Sequence, residues 1–483
     1  MKRENIWEYL LMGVIVYLIF FLRLDSFWIR PWDEAIYSVN AYEMYKHGSY
    51  IVPFFDTHPD LWNSKPPLQS WAQICFMIIL GYNEIAMRLP SAICGVLTSV
   101  YLFFYLKRRF GNSWAWSSFI VLTTSTGFVT YHTARTGDMD SMLTMFLFLT
   151  TVFLFRFITE EGRRNRNIFF YFVFLSLAFL TKSFASLLFL PAHLICLLLF
   201  GKIKEVLSCR WFYWGLFSFM ILIIGYFLLR EYYQNGYIDF VLNHDAGQIS
   251  RTVEGHNHPF DYYFNNFFYG RFAIWISFFA IGVMILFLNE QDKKVKAICL
   301  SSAISICIYM LIISIAHTKV FWYDMPVYPL LAIVCGYTCS KGLELIRINS
   351  FSKTKQLSIV LVIFFIPIYY AIKNSHDQPI PYSEKKQELL AVYIYEKEKD
   401  GYNFDGWKVI NKWFSQQILF YKYKLAEKNQ TLSIADENNL NKGDKVFLLN
   451  EKAKKTIESK YEYRIIDTFN EVTAYEIKAK KDQ

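Results

Sequence analysis

Apolar stretches approaching the roughly 20 residues that carry a helix across a bilayer recur about eleven times in this chain. They lie near 7–22, 86–106, 114–133, 139–157, 167–181, 183–200, 211–230, 271–289, 296–316, 321–340 and 356–373. No single soluble core calls for that many, so the pattern predicts an α-helical polytopic membrane protein. Composition agrees: 54% of the 483 residues are hydrophobic and 19% are charged, against about 25% charged in soluble domains. Mean hydropathy is +0.22.

The polar residues between these stretches are not randomly signed. Lys107-Arg108-Arg109, Arg163-Arg164-Asn165-Arg166, Lys202 with Lys204 and Arg210, Lys293-Lys294 with Lys296, and Arg347 with Lys353 and Lys355 fall at alternate junctions. By the positive-inside rule those junctions and the N-terminus are cytoplasmic; eleven spans then put the C-terminal tail outside, in an inner (plasma) membrane protein. The formal charge of +9 is thereby assigned to topology, and no nucleic-acid partner is expected. The bulky, charged Arg23-Leu24-Asp25-Ser26-Phe27-Trp28 after the first stretch offers no signal-peptidase site, so that stretch reads as a retained helix. All eight cysteines lie in or beside apolar segments, which suggests buried small side chains and neither a disulfide framework nor a metal knuckle.

The junctions on the other face carry the candidate chemistry. The 23–85 loop opens with Arg30-Pro31-Trp32-Asp33-Glu34-Ala35 and continues to Asn63-Ser64-Lys65-Pro66-Pro67. Tyr37–His47 and Leu68–Leu80 within it read as short interfacial helices. Further on come Arg135-Thr136-Gly137-Asp138-Met139-Asp140, Thr181-Lys182-Ser183, the 231–270 loop and His317-Thr318-Lys319. From about His376 the chain turns polar, and Gln378-Pro379-Ile380-Pro381 reads as a stiff linker. The expected division is a membrane catalytic domain over 1–375 and a small extracytoplasmic α/β domain over 376–483. Its strands are predicted at Trp407–Ile410, Lys445–Leu449, Tyr463–Phe469 and Val472–Ile477, and its helices at 383–398, 415–428 and 451–459. No catalytic motif stands in that tail, whose expected role is acceptor handling or stability.

Ionisable groups gathered on one membrane face read as a site. Asp33 and Glu34 can accept a proton from a hydroxyl or hold a divalent metal; equally, they sit where acids complement a helix N-terminus. Asp138 and Asp140 diverge at an i, i+2 spacing, one suited to capping and the other to the site. Lys65, Lys182 and Lys319 read singly as snorkelling lysines; three on the face opposite the basic clusters suit an anion such as phosphate. Arg251 would add bidentate recognition. His256 and His258 lie near acids, but without ligand-spaced helix geometry they read as a polar loop. No GxxxxGK[ST] or GxGxxG follows a strand, so an activated group carried by lipid is the alternative to a nucleotide.

Seven short motifs stand in order: Trp32-Asp33-Glu34-Ala35, Lys65-Pro66-Pro67, Arg88-Leu89-Pro90-Ser91, Arg135 to Leu143, Phe179-Leu180-Thr181-Lys182, His256-x-x-Pro259-Phe260-x-Tyr262-Tyr263 and Lys319-x-x-x-Tyr323-x-x-Pro326. Through them the chain resembles the dolichyl-phosphate-mannose protein mannosyltransferase superfamily, in its bacterial ArnT-like branch with the GT-C fold. The resemblance implies transfer of a sugar, with inversion, from a polyprenyl-phosphate donor such as undecaprenyl phosphate to a lipid, glycan or protein acceptor on the outer face. It implies Asp33 as catalytic base or acceptor-orienting carboxylate, with Lys65 and Arg251 on the donor phosphate and His256, Lys319 and Tyr323 beside them. Ser183-Phe184 stands where the family often has Gly-Pro. Ser64 stands where ArnT has an acid tied to a metal, so zinc is not carried over and a divalent cation is left open. A flippase for a polyprenyl-linked substrate is the rival, and would place charges near the midplane with repeat symmetry.

Overall fold

A computed structural model describes residues 4–160, 162–244, 247, 256–288, 290–348, 352–377, 382–411 and 415–481. The first apolar stretch forms α1 (Glu4–Val16), closed by a π-turn over Tyr17–Phe21. The first loop contributes α2 (Asp33–His47) and α3 (Leu68–Leu80). The bundle follows: α4 (Glu84–Phe110), α5 (Asn112–Thr124), α6 (Asp140–Thr159), α7 (Arg164–Lys182), α8 (Leu190–Leu199) and α9 (Arg210–Tyr233). It is completed by α10 (Ile276–Leu288), α11 (Lys293–Ile315), α12 (Tyr328–Ile348) and α13 (Lys353–Asp377).

Every predicted span falls on helix, but not every helix is a full span. Among the described residues six are long and apolar enough to cross a bilayer, or seven if the pair Tyr262–Arg271 and Ile276–Leu288, bent by 111°, counts as one. Ile6–Phe21, Leu190–Leu199 and Leu361–Ser375 are shorter apolar helices. The predicted span over 114–133 breaks because hydroxyls intervene: Thr123, Thr124 and Ser125 return hydrogen bonds to carbonyls of the preceding turn, and Ser125 leaves helical geometry at ψ 112°. Such back-bonding competes with helix propagation. Beyond the break the chain is free to carry 130–139 across the end of the bundle.

The C-terminal segment builds α14 (Tyr382–Lys399), α15 (Gln416–Ala426) and α16 (Glu451–Lys460) around five strands. These are β1 (Trp407–Ile410), β2 (Leu432–Ile434), β3 (Lys445–Leu448), β4 (Tyr461–Phe469) and β5 (Val472–Lys480), in the order β2-β1-β3-β5-β4. β1 is parallel to β2 and β3, while β5 is antiparallel to β3 and β4.

This unit shares a core with the first loop. Ile29, Ala35, Val39, Met44 and Ile74 pack in one cluster with Tyr393, Trp407, Phe420 and Phe447. Polar pairs reinforce the seam: Tyr423 donates to Glu43 at 2.6 Å, Tyr42 to Glu427 at 2.7 Å, and Lys424 to Glu84 at 2.8 and 3.0 Å. Trp28 donates to Glu388, which also lies 3.7 Å from Arg30. The expected interfacial helix at Tyr37–His47 is therefore corrected: it is the body of α2, buried from Glu34 to Met44, because the C-terminal unit covers the side that would otherwise meet headgroups or water.

Candidate active site

Two adjacent carboxylates open α2, and helical geometry sends them in different directions. Glu34 points inward and is fully buried. It accepts from Arg88 Nε at 2.7 Å and Nη2 at 3.0 Å, from the Arg30 backbone N–H at 2.7 Å and from the Gly137 N–H at 2.8 Å. One side chain thus ties the first loop, α4 and the 135–139 turn together, and none of the cavity described below is lined by it. Asp33 is half-buried and faces that cavity.

The cavity, of about 600 Å³, is lined by Asp33 and Trp32, by Lys65, Lys182 and Lys319, and by Tyr323 and His256. An apolar cleft of about 150 Å³ adjoins it and shares Lys65, Lys182, Thr318 and Tyr323. Leu143, Leu188, Ile312 and Ile313 line the cleft, and Asp140 closes its polar end. Asp140 holds Lys182 Nζ with both oxygens, at 2.7 and 2.8 Å, and the ammonium lies 4.9 Å from the centre of the Tyr323 ring. Lys65 donates to Ser64 Oγ at 2.9 Å, and the Lys319 backbone N–H donates to the His256 carbonyl at 3.0 Å. Of the ten residues singled out in the sequence, Asp33, Lys65, Lys182, His256, Lys319 and Tyr323 meet in one cavity, Asp140 sits at its junction with the cleft, and Asp138 stands behind Asp33. Glu34 lies apart, and Arg251 lies outside the described residues.

His132 is the addition. It sits where the predicted span over 114–133 was expected to end, in a loop instead of a helix. Its Nδ1 is 3.2 Å from Asp138 Oδ1, and its ring stacks on Trp322 with centroids 3.8 Å apart. Ligand atoms of Asp33, His132 and Asp138 all lie within 4.8 Å of one another, and Asp138 Oδ2 is buried without a hydrogen-bond partner. Two carboxylate oxygens and an imidazole nitrogen form a donor set that fits a divalent cation. The charges already act on one another. Burial pushes the Asp33 carboxyl up to about 6, with Asp138 adding to the rise and His132 and Lys182 opposing it. Burial works against both members of the neighbouring pair, yet their attraction prevails, lowering Asp138 and raising His132.

Backbone strain gathers at the same place. Trp32, immediately before Asp33, has φ 59° and ψ −120°, and Ser183, immediately after Lys182, has φ 43° and ψ −126°. His132 is at φ 57°. Positive φ at residues with a Cβ costs of order 1–3 kcal/mol and concentrates at functional sites.

The fold of the whole chain recurs in a solved structure. ArnT from Cupriavidus metallidurans, bound to undecaprenyl phosphate, superimposes with a TM-score of 0.74 at 13% identity, over 97% of each chain. The fold is GT-C. Within GT-C proteins, residues 64–227 match the family described as dolichyl-phosphate-mannose-protein mannosyltransferase. A protein from Aquifex aeolicus without a described function is 26% identical over 407 residues, 80% of this chain and 76% of its own. YkcB of Bacillus subtilis, named as a candidate mannosyltransferase, is 27% identical over 177 residues, 36% of this chain and 24% of its own. The resemblance read from the seven motifs therefore holds, as does the multi-pass membrane class of this GT-C chain.

Proposed function

We propose that this protein is an integral membrane glycosyltransferase that moves a sugar from a polyprenyl-phosphate donor to an envelope acceptor, with inversion. One observation carries the reading: a carboxylate, Asp33, and three lysines, Lys65, Lys182 and Lys319, line one cavity, and two of those lysines also line an adjoining apolar cleft. A polyprenyl tail suits the cleft, its phosphate the lysines, and the sugar the space between them and Asp33. The charges of the candidate site cluster at one membrane face, which favours this over the flippase, whose charges belong at mid-depth.

The chemistry follows from the placement. The acceptor hydroxyl attacks the anomeric carbon from the Asp33 side while the bond from that carbon to the phosphate oxygen breaks on the lysine side. Asp33 takes the hydroxyl proton, and a carboxyl raised to about 6 is a stronger base than an ordinary one while still ionised near neutral pH. The departing polyprenyl phosphate gains charge as the bond breaks, which is where preplaced cations lower the barrier. Asp140 acts through Lys182, fixing its ammonium at the mouth of the cleft. Glu34 positions the loop and the 135–139 turn. Asp33, His132 and Asp138 would hold a divalent cation, and such an ion would supply Lewis-acid polarisation of a bound oxygen. The acceptor is a lipid, glycan or protein hydroxyl or phosphate. The basic junctions support placing this cavity, and the unit over 376–483, on the extracytoplasmic face of the inner membrane.

The test is turnover of polyprenyl-phosphate sugars by purified protein, with envelope extracts as acceptors and free polyprenyl phosphate followed by mass spectrometry. Turnover by wild type that collapses in Asp33→Asn is expected. Equal turnover in both would remove Asp33 from the chemistry, and none across a broad donor panel would sink the transferase.

A further inference from the structure

A second cavity lies at the opposite ends of the same helices. It measures about 510 Å³ and opens between the C-terminal ends of α4 and α6 and the start of α11. α6 begins at Asp140 beside the active site and ends at Thr159, 20 residues on. At 1.5 Å per residue the two cavities stand about 30 Å apart, the thickness of the hydrocarbon core.

Its lining is strongly unbalanced in charge. Arg108, Arg109, Arg156, Arg163 and Lys294 surround one described carboxylate, Glu160. Arg109 and Arg156 both pair with Glu160, so its charge is already spent. Arg108, Arg163 and Lys294 are exposed. The C-terminal ends of α4 and α6 bring only partial negative charge, far less than five side-chain cations. The same cavity is lined by Tyr101, Phe104, Phe110 and Ile298, which belong to or pack against the bundle core. Guanidinium groups sharing a cavity with aromatic side chains at the membrane surface match a phosphate joined to acyl chains. Guanidinium gives bidentate phosphate contacts, and basic pockets between spanning helices bind anionic headgroups. A soluble anion would leave the apolar wall without a partner.

We infer that this cavity binds the phosphate headgroup of an anionic phospholipid, with Arg108, Arg163 and Lys294 as exposed cations that pair with no carboxylate among the described residues and Arg109 and Arg156 as its fixed rim. The site is separate from the donor cavity and does not depend on the proposed reaction.

Native mass spectrometry and thermal unfolding of the full chain in neutral detergent test it, with added phosphatidylglycerol, phosphatidylcholine or inorganic phosphate. Wild type is expected to retain phosphatidylglycerol preferentially and to melt higher in its presence. The triple variant Arg108→Gln/Arg163→Gln/Lys294→Gln should bind it about a hundredfold more weakly, at roughly fivefold per lost cation. Lys319→Gln, on the other face, should bind as wild type does. No preference for phosphatidylglycerol over phosphatidylcholine in wild type would overturn the proposal without any variant. Undiminished binding by the triple variant, or loss in Lys319→Gln instead, would overturn the location. Equal protection by inorganic phosphate would reassign the cavity to a soluble anion.

Discussion

Glu34→Ala separates the roles of two neighbouring carboxylates. The wild-type side chain is fully buried and accepts four hydrogen bonds, two from Arg88 and one each from the Arg30 and Gly137 backbones. Truncation leaves Arg88 with three carbonyl partners, Leu24, Phe27 and Trp28 at 2.8–2.9 Å, and with Glu84 as a counter-charge that makes no hydrogen bond to it. Breaking a buried pair from one side costs about 3–5 kcal/mol, and each orphaned buried N–H adds about 1–3 kcal/mol. Water entering the void returns part of this, so a net loss of about 4 kcal/mol or more is expected. Denaturation in mixed micelles of dodecyl maltoside and dodecyl sulfate measures it. Asp33→Asn, one residue away, should stay within about 1 kcal/mol of wild type while turnover falls about 10²-fold or more. The double variant Glu34→Ala/Arg88→Met should recover part of the loss, because the stranded charge goes with its partner. If Glu34→Ala stays within about 1 kcal/mol of wild type, or Asp33→Asn is the unstable variant, the division of labour is wrong.

With chelator present, the pH profile of the remaining turnover should fall on the acid side through about 6, since Asp33 is active as the carboxylate and its raised value in the metal-free site sets where that form is lost; an acid limb near 4 under those conditions would contradict this. Ser183→Gly should raise stability by about 1 kcal/mol in the same micelle assay, because glycine takes φ 43°, ψ −126° without the Cβ penalty; a neutral or lower value would mean that the turn carries no strain. Lys182→Met should destabilise by about 3 kcal/mol by stranding Asp140, with Asp140→Asn/Lys182→Met regaining stability but not turnover. Treatment with EDTA should lower turnover and Mn²⁺ or Mg²⁺ restore it in wild type, while His132→Ala requires more metal for the same rate; indifference to chelator would exclude a cation at Asp33, His132 and Asp138.

What the sequence reveals here follows how local the determining physics is. Apolar length places every spanning segment on a helix, because the bilayer imposes that length residue by residue. The break at Ser125 is less legible, since hydroxyl back-bonding competes only weakly with helix. His132 is hidden for that reason, and the run Thr123-Thr124-Ser125-Thr126-Gly127 is the signal in the sequence that marks the break before it. In the C-terminal unit, alternation located four of the five strands; Leu432–Ile434, a three-residue edge, is too short to show a period. Asp33 and Glu34 are indistinguishable by local pattern: their roles are decided by Arg88, 54 residues on. Likewise Lys182 looks like a snorkelling lysine until the fold supplies Asp140, 42 residues earlier.

The seam between α2 and the C-terminal unit also has a bearing on how the protein is made. Trp28 meets Glu388 across 360 positions of chain. At about 5–20 residues per second, a ribosome needs roughly 20–70 s to traverse that gap. Throughout it the helix bearing Asp33 is already synthesised while the cover over its apolar side does not yet exist. Newly made chains should therefore be most open to proteases and to mispairing within the first loop, and a chain cut short before residue 388 should be cleared from the membrane instead of persisting as a smaller enzyme.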